Sequence, residues 1–275
     1  MANENGSSRQ DQSLHFDFDA YSPPQIAERV ENAGVAKTAQ TFRQTFTLSM
    51  LAGAFIAFGA LFYTLVLTDS NLGFGLSRLV GGAAFSLGLI LVVIGGAELF
   101  TGNSLLVMAW ADRKVSTAQI LKNWTIVYIG NFIGALLVAA LVILSGVFGL
   151  NGGGVGETAT GIAVAKLDLS LSEAFFRGVL CNALVCLAVW LCFAARSVTD
   201  KILAILFPIS AFVGLGFEHS VANMYALPVA MMSDGLAWNI SGLVQNLIVV
   251  TAGNIVGGGG LVALVYWLIY RADRP

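Results

Sequence analysis

The chain has 275 residues, of which 57% are apolar and 11% charged, with a mean hydropathy of +0.80. A soluble domain carries roughly 25% charged residues, so this composition excludes a single water-facing globule and makes lipid part of the solvent. A formal net charge of −2 argues against a nucleic-acid partner.

Residues 1–14 read as a polar tail, and residues 1–40 contain no apolar core of signal-peptide type. The stretch over 22–37 predicts a short amphipathic helix, started by Ser22 or by the Pro23-Pro24 pair, with Ile26 and Val30 on one face. It is expected to lie against the cytoplasmic surface. Residues 1–40 are therefore set apart from a membrane domain over 41–275.

A helix needs about 20 apolar residues to cross ~30 Å of hydrocarbon. Such runs begin at 45–67 and continue at 79–97, 123–145 and 178–195, at 202 onward, and at 242–270. Two of these regions, 79–111 and 202–232, would make helices of roughly 45–50 Å, too long for one plain crossing. Each carries Gly and polar residues near its middle: GGAELFTGNS over 95–104 and GLGFEHS over 214–220. Interrupted helices fit, because broken backbone at membrane depth survives where protein or a water-filled cavity satisfies it. The alternative is a plain span followed by a polar loop.

Six crossings put both termini on one side. The tail, the loops over 110–122 and 196–201, and the C-terminus hold eleven Lys and Arg, against three (Arg78, Lys166, Arg177) elsewhere. That bias places the termini in the cytoplasm.

The run over 123–142 superimposes on 246–265, with eight of twenty positions identical. The matches include Asn123 with Asn246, Gly130-Asn131 with Gly253-Asn254, and Gly134 with Gly257. A repeat three spans long enters the membrane in opposite senses, which predicts two inverted halves whose interruptions meet at a midplane site. Glu98 precedes Asn123 by 25 residues and Glu218 precedes Asn246 by 28, so the interruptions correspond. The glycines of 257–260 read as a helix-packing face, and those of 152–154 as a flexible external loop. Cys181, Cys186 and Cys192 have no metal or redox spacing and read as packing residues.

An ionisable side chain inside a span is expensive and faces a cavity or a pathway. His219 is therefore expected in a pore. A histidine there can hold an anion by charge and hydrogen bonding, or share a proton with it, because its ordinary pKa lies near physiological pH. Glu218 and Glu98 are expected to point away and accept hydrogen bonds from freed backbone N–H groups. No nucleophile motif Gly-x-Ser-x-Gly occurs, and His15 and His219 are the only histidines, so an enzyme is not expected and no cofactor or metal is implied.

The stretches GAELFTG (96–102), NWTIVYIGNFIG (123–134), CNALVCLAVW (181–190), GFEHSVANM (216–224) and GNIVGGG (253–259) resemble the formate–nitrite transporter family over residues 20–272. FSLGLIL (85–91) and ARSVTDK (195–201) look like those of its formate channels, while nitrite channels share ELFTG and the Cys181 motif. The resemblance implies an all-α, aquaporin-like fold of six transmembrane helices in an inverted three-helix repeat. It also implies a homopentamer with one pore per protomer, in a bacterial-type inner membrane.

Formate or a similar small monovalent acid anion, with protons, is the implied substrate; nitrite or hydrosulfide is the alternative. By resemblance, Phe85, Leu89, Leu99 and Phe212 are apolar constrictions. Thr101 and His219 form the polar pore site with Asn182 and Asn254. Lys37 and Lys166 are vestibule cations. Where formate channels commonly carry Asp in the first interruption, this chain has Glu98, a longer carboxylate that bears on loop packing.

Overall fold

The computed structural model describes residues 19–233 and 235–272; the polar tail lies outside them. Among the described residues every regular element is helical. In chain order these are α1 (Pro23–Thr38), α2 (Phe42–Leu67), α3 (Phe74–Gly95), α4 (Leu106–Ala111) after a 3-10 turn Gly102–Leu105, and α5 (Thr117–Leu144). Then come α6 (Gly154–Leu167), α7 (Leu171–Ala194), α8 (Val198–Gly214), α9 (Ser220–Met232) and α10 (Ile240–Ile255), which runs through a π-helical stretch, Val256–Leu264, into α11 (Val265–Tyr270). Five helices, α2, α3, α5, α7 and the continuous Ile240–Tyr270, are long and apolar enough to cross a membrane.

The long helices start a few residues before the apolar runs that predict them. Reciprocal caps explain this. Thr41 with Gln44, Ser116 with Gln119, Ser170 with Glu173, and Ser197 with Asp200 each close a capping box, so α2, α5, α7 and α8 begin in polar surroundings. Counting apolar residues alone misses that first turn. The same device opens α1, where the Ser22 N–H donates to Gln25 at 2.9 Å.

Close backbone approach holds each helix pair together. A Cβ on Gly134 would strike the Met50 carbonyl, and one on Gly257 the Val179 carbonyl, so α5 packs on α2 as the last helix packs on α7. Gly257, Gly258 and Gly259 all abut neighbours, as expected of a packing face, whereas Gly260 is open. The three cysteines are buried and unpaired.

The helix over 22–37 is present, with Ile26 and Val30 buried. Its inner face also carries Glu31, fully buried, which pairs with Lys114 and Arg271. Asp112 joins the cluster, lying 3.3 Å from Lys114 and accepting from the Trp267 indole at 3.2 Å. Burial raises the pKa of Glu31. Asp112 is held down to about 2, chiefly by its hydrogen bond with Glu31 and then by those with Trp267 and Lys114. The cluster ties α1, the turn after α4 and the C-terminal end of α11 into one unit.

Sequence reading missed α6 and treated the preceding glycines as a flexible loop. The structure replaces that loop with 3-10 turns over Val147–Gly153, in which Asn151, Gly152 and Gly153 are left-handed. These turns deliver the chain into α6, whose last turn carries Lys166.

Candidate functional site

Both long segments are interrupted, and in the same way. α3 stops at Gly95, Gly96 is left-handed (φ 79°), and non-helical residues lead to Thr101 and the Gly102–Leu105 turn. α8 stops at Gly214, Gly216 is left-handed (φ 72°), and non-helical residues lead to an extended His219 and α9. Glycine is required at both left-handed positions because a Cβ disfavours that conformation.

The freed backbone groups are satisfied by one asparagine in each half. Asn131 on α5 donates to the carbonyls of Ser49 (2.7 Å) and Glu98 (2.9 Å) and accepts from the Phe100 N–H (2.9 Å). Asn254 on α10 donates to the carbonyls of Gly178 (2.8 Å) and Glu218 (2.9 Å) and accepts from the Ser220 N–H (2.9 Å). The Glu98 N–H donates to the Leu48 carbonyl and the Glu218 N–H to the Arg177 carbonyl, both at 3.2 Å.

The glutamates do something other than expected. Glu98 receives Lys37 Nζ at 2.8 Å and Asn103 Nδ2 at 2.7 Å; Glu218 receives Lys166 Nζ at 2.9 Å and Asn223 Nδ2 at 2.7 Å. Asn123 and Asn246 accept from Asn103 and Asn223 in turn. Backbone N–H groups are therefore not their partners. A buried carboxylate needs a counter-charge more than it needs one amide, and the lysines of α1 and α6 supply it. Glu98 and Glu218 make ion pairs with Lys37 of α1 and Lys166 of α6, while the amide bracing falls to Asn131 and Asn254.

Thr101 and His219 meet at the centre, with Thr101 Oγ1 2.9 Å from His219 Nε2. The other ring nitrogen, Nδ1, accepts the Ala222 N–H at 3.1 Å and so caps α9. In a neutral ring the proton therefore sits on Nε2, facing Thr101. A ring carrying a second proton has no lone pair for Ala222. Behind Thr101, Asn182 donates to its carbonyl (3.2 Å), to Ser104 Oγ (3.0 Å) and to the Asn254 carbonyl (2.7 Å). Two helix N-termini, the one after Thr101 and that of α9, converge here and favour negative charge.

Two cavities approach this pair. One of about 640 Å³ is lined by Phe85, Phe212, His219 and Lys166; the other, of about 290 Å³, by Leu89, Leu99, Lys37 and Glu98. Phe85 and Phe212 meet edge to face at 5.6 Å, and Phe212 stacks over the His219 ring at 5.9 Å. Phe85 and Leu89 lie one turn apart on α3, so the two apolar layers are separated by ~6 Å. All four apolar residues are at most 5% exposed.

The structure brings the residues singled out in the sequence close together. Thr101, Asn182 and Asn254 line neither cavity, and the two asparagines stand behind the Thr101–His219 pair. Lys37 and Lys166 do line the cavities, but in ion pairs. Sequence reasoning passed over Asn131, Asn103 and Asn223 as site residues, although the matched Gly-Asn pairs of the repeat pointed to the first. It also missed Tyr225, which lines the larger cavity and whose buried hydroxyl has no partner among the described residues.

A buried polar pair between two cavities, framed by apolar layers in a bundle of membrane-length helices, defines a membrane channel or transporter. The comparisons give the particular kind. The formate/nitrite transporter family model matches residues 24–268. The formate channel FocA of Escherichia coli (strain K12) is 40% identical over 276 residues, covering 94% of this chain and 97% of that protein. A solved pentameric formate channel with formate bound is 39% identical, with a TM-score of 0.76 over 83% of this chain and 97% of its own. An FNT family ion channel is 29% identical, with a TM-score of 0.81 over 89% of this chain and 98% of its own. The chain belongs to the formate/nitrite transporter family, a family of multi-pass membrane transporters rather than enzymes.

Proposed function

We propose that the protein is a formate channel, a homopentamer with one pore per protomer, that passes small monovalent acid anions through the Thr101–His219 site. One observation carries this reading: His219, 2.9 Å from Thr101, lines the cavity that Phe85 and Phe212 line, while Leu99 and Gly102, on either side of Thr101 in the chain, line the cavity that holds Leu89. Similarity to the formate channels adds the substrate and the assembly.

Six crossings follow if α8 and α9 together make the passage that α3 and α4 make in the other half. The halves are then inverted, and residues 41–275 form the channel domain. The sidedness of charge supports the topology: Arg29, Lys37 and Lys201 line the smaller cavity and Arg78, Lys166 and Arg177 the larger. The smaller opens to the cytoplasm with both termini, and the membrane is of the bacterial inner type.

An anion in a narrow apolar passage loses hydration at a cost of a few kcal/mol. Three cations to one carboxylate in each cavity draw it in. At the centre it takes hydrogen bonds from the His219 ring and the Thr101 hydroxyl and faces two helix N-termini. The phenylalanine and leucine layers exclude water and bare cations. Charging of His219, or sharing of its proton with the permeant acid, makes transport pH-dependent and uncaps α9 while the second proton is present.

The test is uptake of labelled formate into proteoliposomes, with nitrite and hydrosulfide as competitors. Uptake well above empty liposomes, weakened most by unlabelled formate, is expected. No uptake above empty liposomes contradicts the reading.

A further inference from the structure

The interruptions are duplicated, so a difference between them marks something the shared frame does not require. The larger cavity holds such a difference. Gly96 and Gly216 occupy matching positions, yet a Cβ on Gly96 would meet nothing within 4 Å, whereas one on Gly216 would lie 3.8 Å from Arg177 Nη1 and 3.9 Å from Arg78 Nη2. Two guanidinium groups thus flank one glycine in the cavity that leads to His219.

Their counterparts in the other half are apolar. The carbonyl that receives the Glu218 N–H belongs to Arg177; the one that receives the Glu98 N–H belongs to Leu48. At the 120-residue offset relating Gly96 to Gly216, Arg78 corresponds to Val198. The matching loop of the first half is therefore braced without an arginine side chain.

Nor are the arginines consumed by carboxylates. Arg78 Nη1 donates to the Tyr63 hydroxyl at 3.0 Å, which aims the group. Arg177 Nη1 makes a 3.4 Å hydrogen bond to the Gly216 carbonyl, and Glu173 stands 4.0 Å from its Nη2. Among the described residues lining the cavity the one carboxylate is Glu218, which is held by Lys166. Both arginines are half-buried, whereas His219 is 2% exposed, so they lie on the approach to the central site.

We propose that Arg78 and Arg177 form a second anion site in the larger cavity, which captures small monovalent oxyanions before they pass to Thr101 and His219. Planar guanidinium groups suit this task, because each can offer two N–H donors to the two oxygens of a carboxylate. A capture site raises the local anion concentration and lowers the concentration needed for half-maximal entry from its own side. The inference rests on the anion-channel reading above.

The experiment compares labelled formate entry in right-side-out and inverted membrane vesicles, for the unaltered protein and for Arg78→Gln with Arg177→Gln. Entry from the arginine side should need about three- to tenfold more formate for half-saturation, with a smaller change in the saturated rate and no change from the opposite side. An unchanged half-saturation, or an equal rise from both sides, overturns the proposal. A second arm needs no variant. Sulfate, a divalent oxyanion, should compete with formate more strongly from the arginine side, and equal or absent competition on the two sides also overturns it. Absence of formate entry in the unaltered protein sinks the channel reading itself, whereas normal entry with either contrary result sinks only the arginine site.

Discussion

The two interrupted segments share a frame and differ in what they carry. In each, a left-handed glycine opens the break, an asparagine from the matched helix holds it, and a glutamate pairs with a lysine from a short helix. At the offset that aligns Glu98 with Glu218, Leu99 aligns with His219 and Thr101 with Val221. One half thus supplies an apolar constriction where the other supplies the imidazole, and the hydroxyl comes back from the first half. Bracing is symmetric because broken backbone costs the same on both sides. The chemistry is asymmetric because a single central site needs one imidazole and one hydroxyl.

The comparison makes predictions that can break it. The largest effect is expected at the asparagines. Asn131→Leu and Asn254→Leu each remove three buried hydrogen bonds, and orphaned partners cost ~1–3 kcal/mol apiece. Each variant should lose about 5 kcal/mol and yield little folded protein by size-exclusion chromatography in detergent. Tolerance of one change but not the other would show that the halves are not braced alike.

Next come the lysines. Lys166→Met leaves Glu218 buried without a counter-charge and should cost about 3 kcal/mol in thermal unfolding. Lys37→Met should cost less, because the Lys37 side chain is 30% exposed against 17% for Lys166, and water can screen Glu98 better. Adding Glu218→Gln to Lys166→Met should restore part of the loss. Glu218→Gln alone should reduce folded protein before it alters ion preference.

The smallest effect is outside the frame, in the α1 cluster. The Asp112 pKa is lowered in the fold, so its contribution is present above its ordinary value near 3.8 and fades as pH falls towards about 2. Asp112→Asn should therefore lower stability by about 1–2 kcal/mol at pH 7 and by about half as much at pH 3. Equal losses at both pH values would mean that packing, not charge, holds α1.

Much of this was legible in the sequence, and the gaps have physical causes. Apolar runs reveal spans because lipid selects them, and the ionisable His219 stands out against them. Helix starts at Thr41, Ser116, Ser170 and Ser197 were hidden by their polarity. α6 was hidden because its Gly-, Ala- and Thr-rich sequence has no apolar stripe, although Lys166 answers to Lys37. The lysine partners of Glu98 and Glu218 lie 61 and 52 residues away, beyond any local pattern. The approach of Arg78 and Arg177 to Gly216 depends on how α3 and α7 each pack on α8 and has no sequence signature.

The most direct test is the flux of labelled formate through His219→Phe in proteoliposomes from pH 5 to pH 8. If the imidazole handles the anion's charge, the phenylalanine variant should lose most of its flux and the pH dependence of what remains. A variant with the rate and pH profile of the unaltered protein would contradict a role for His219 in conduction.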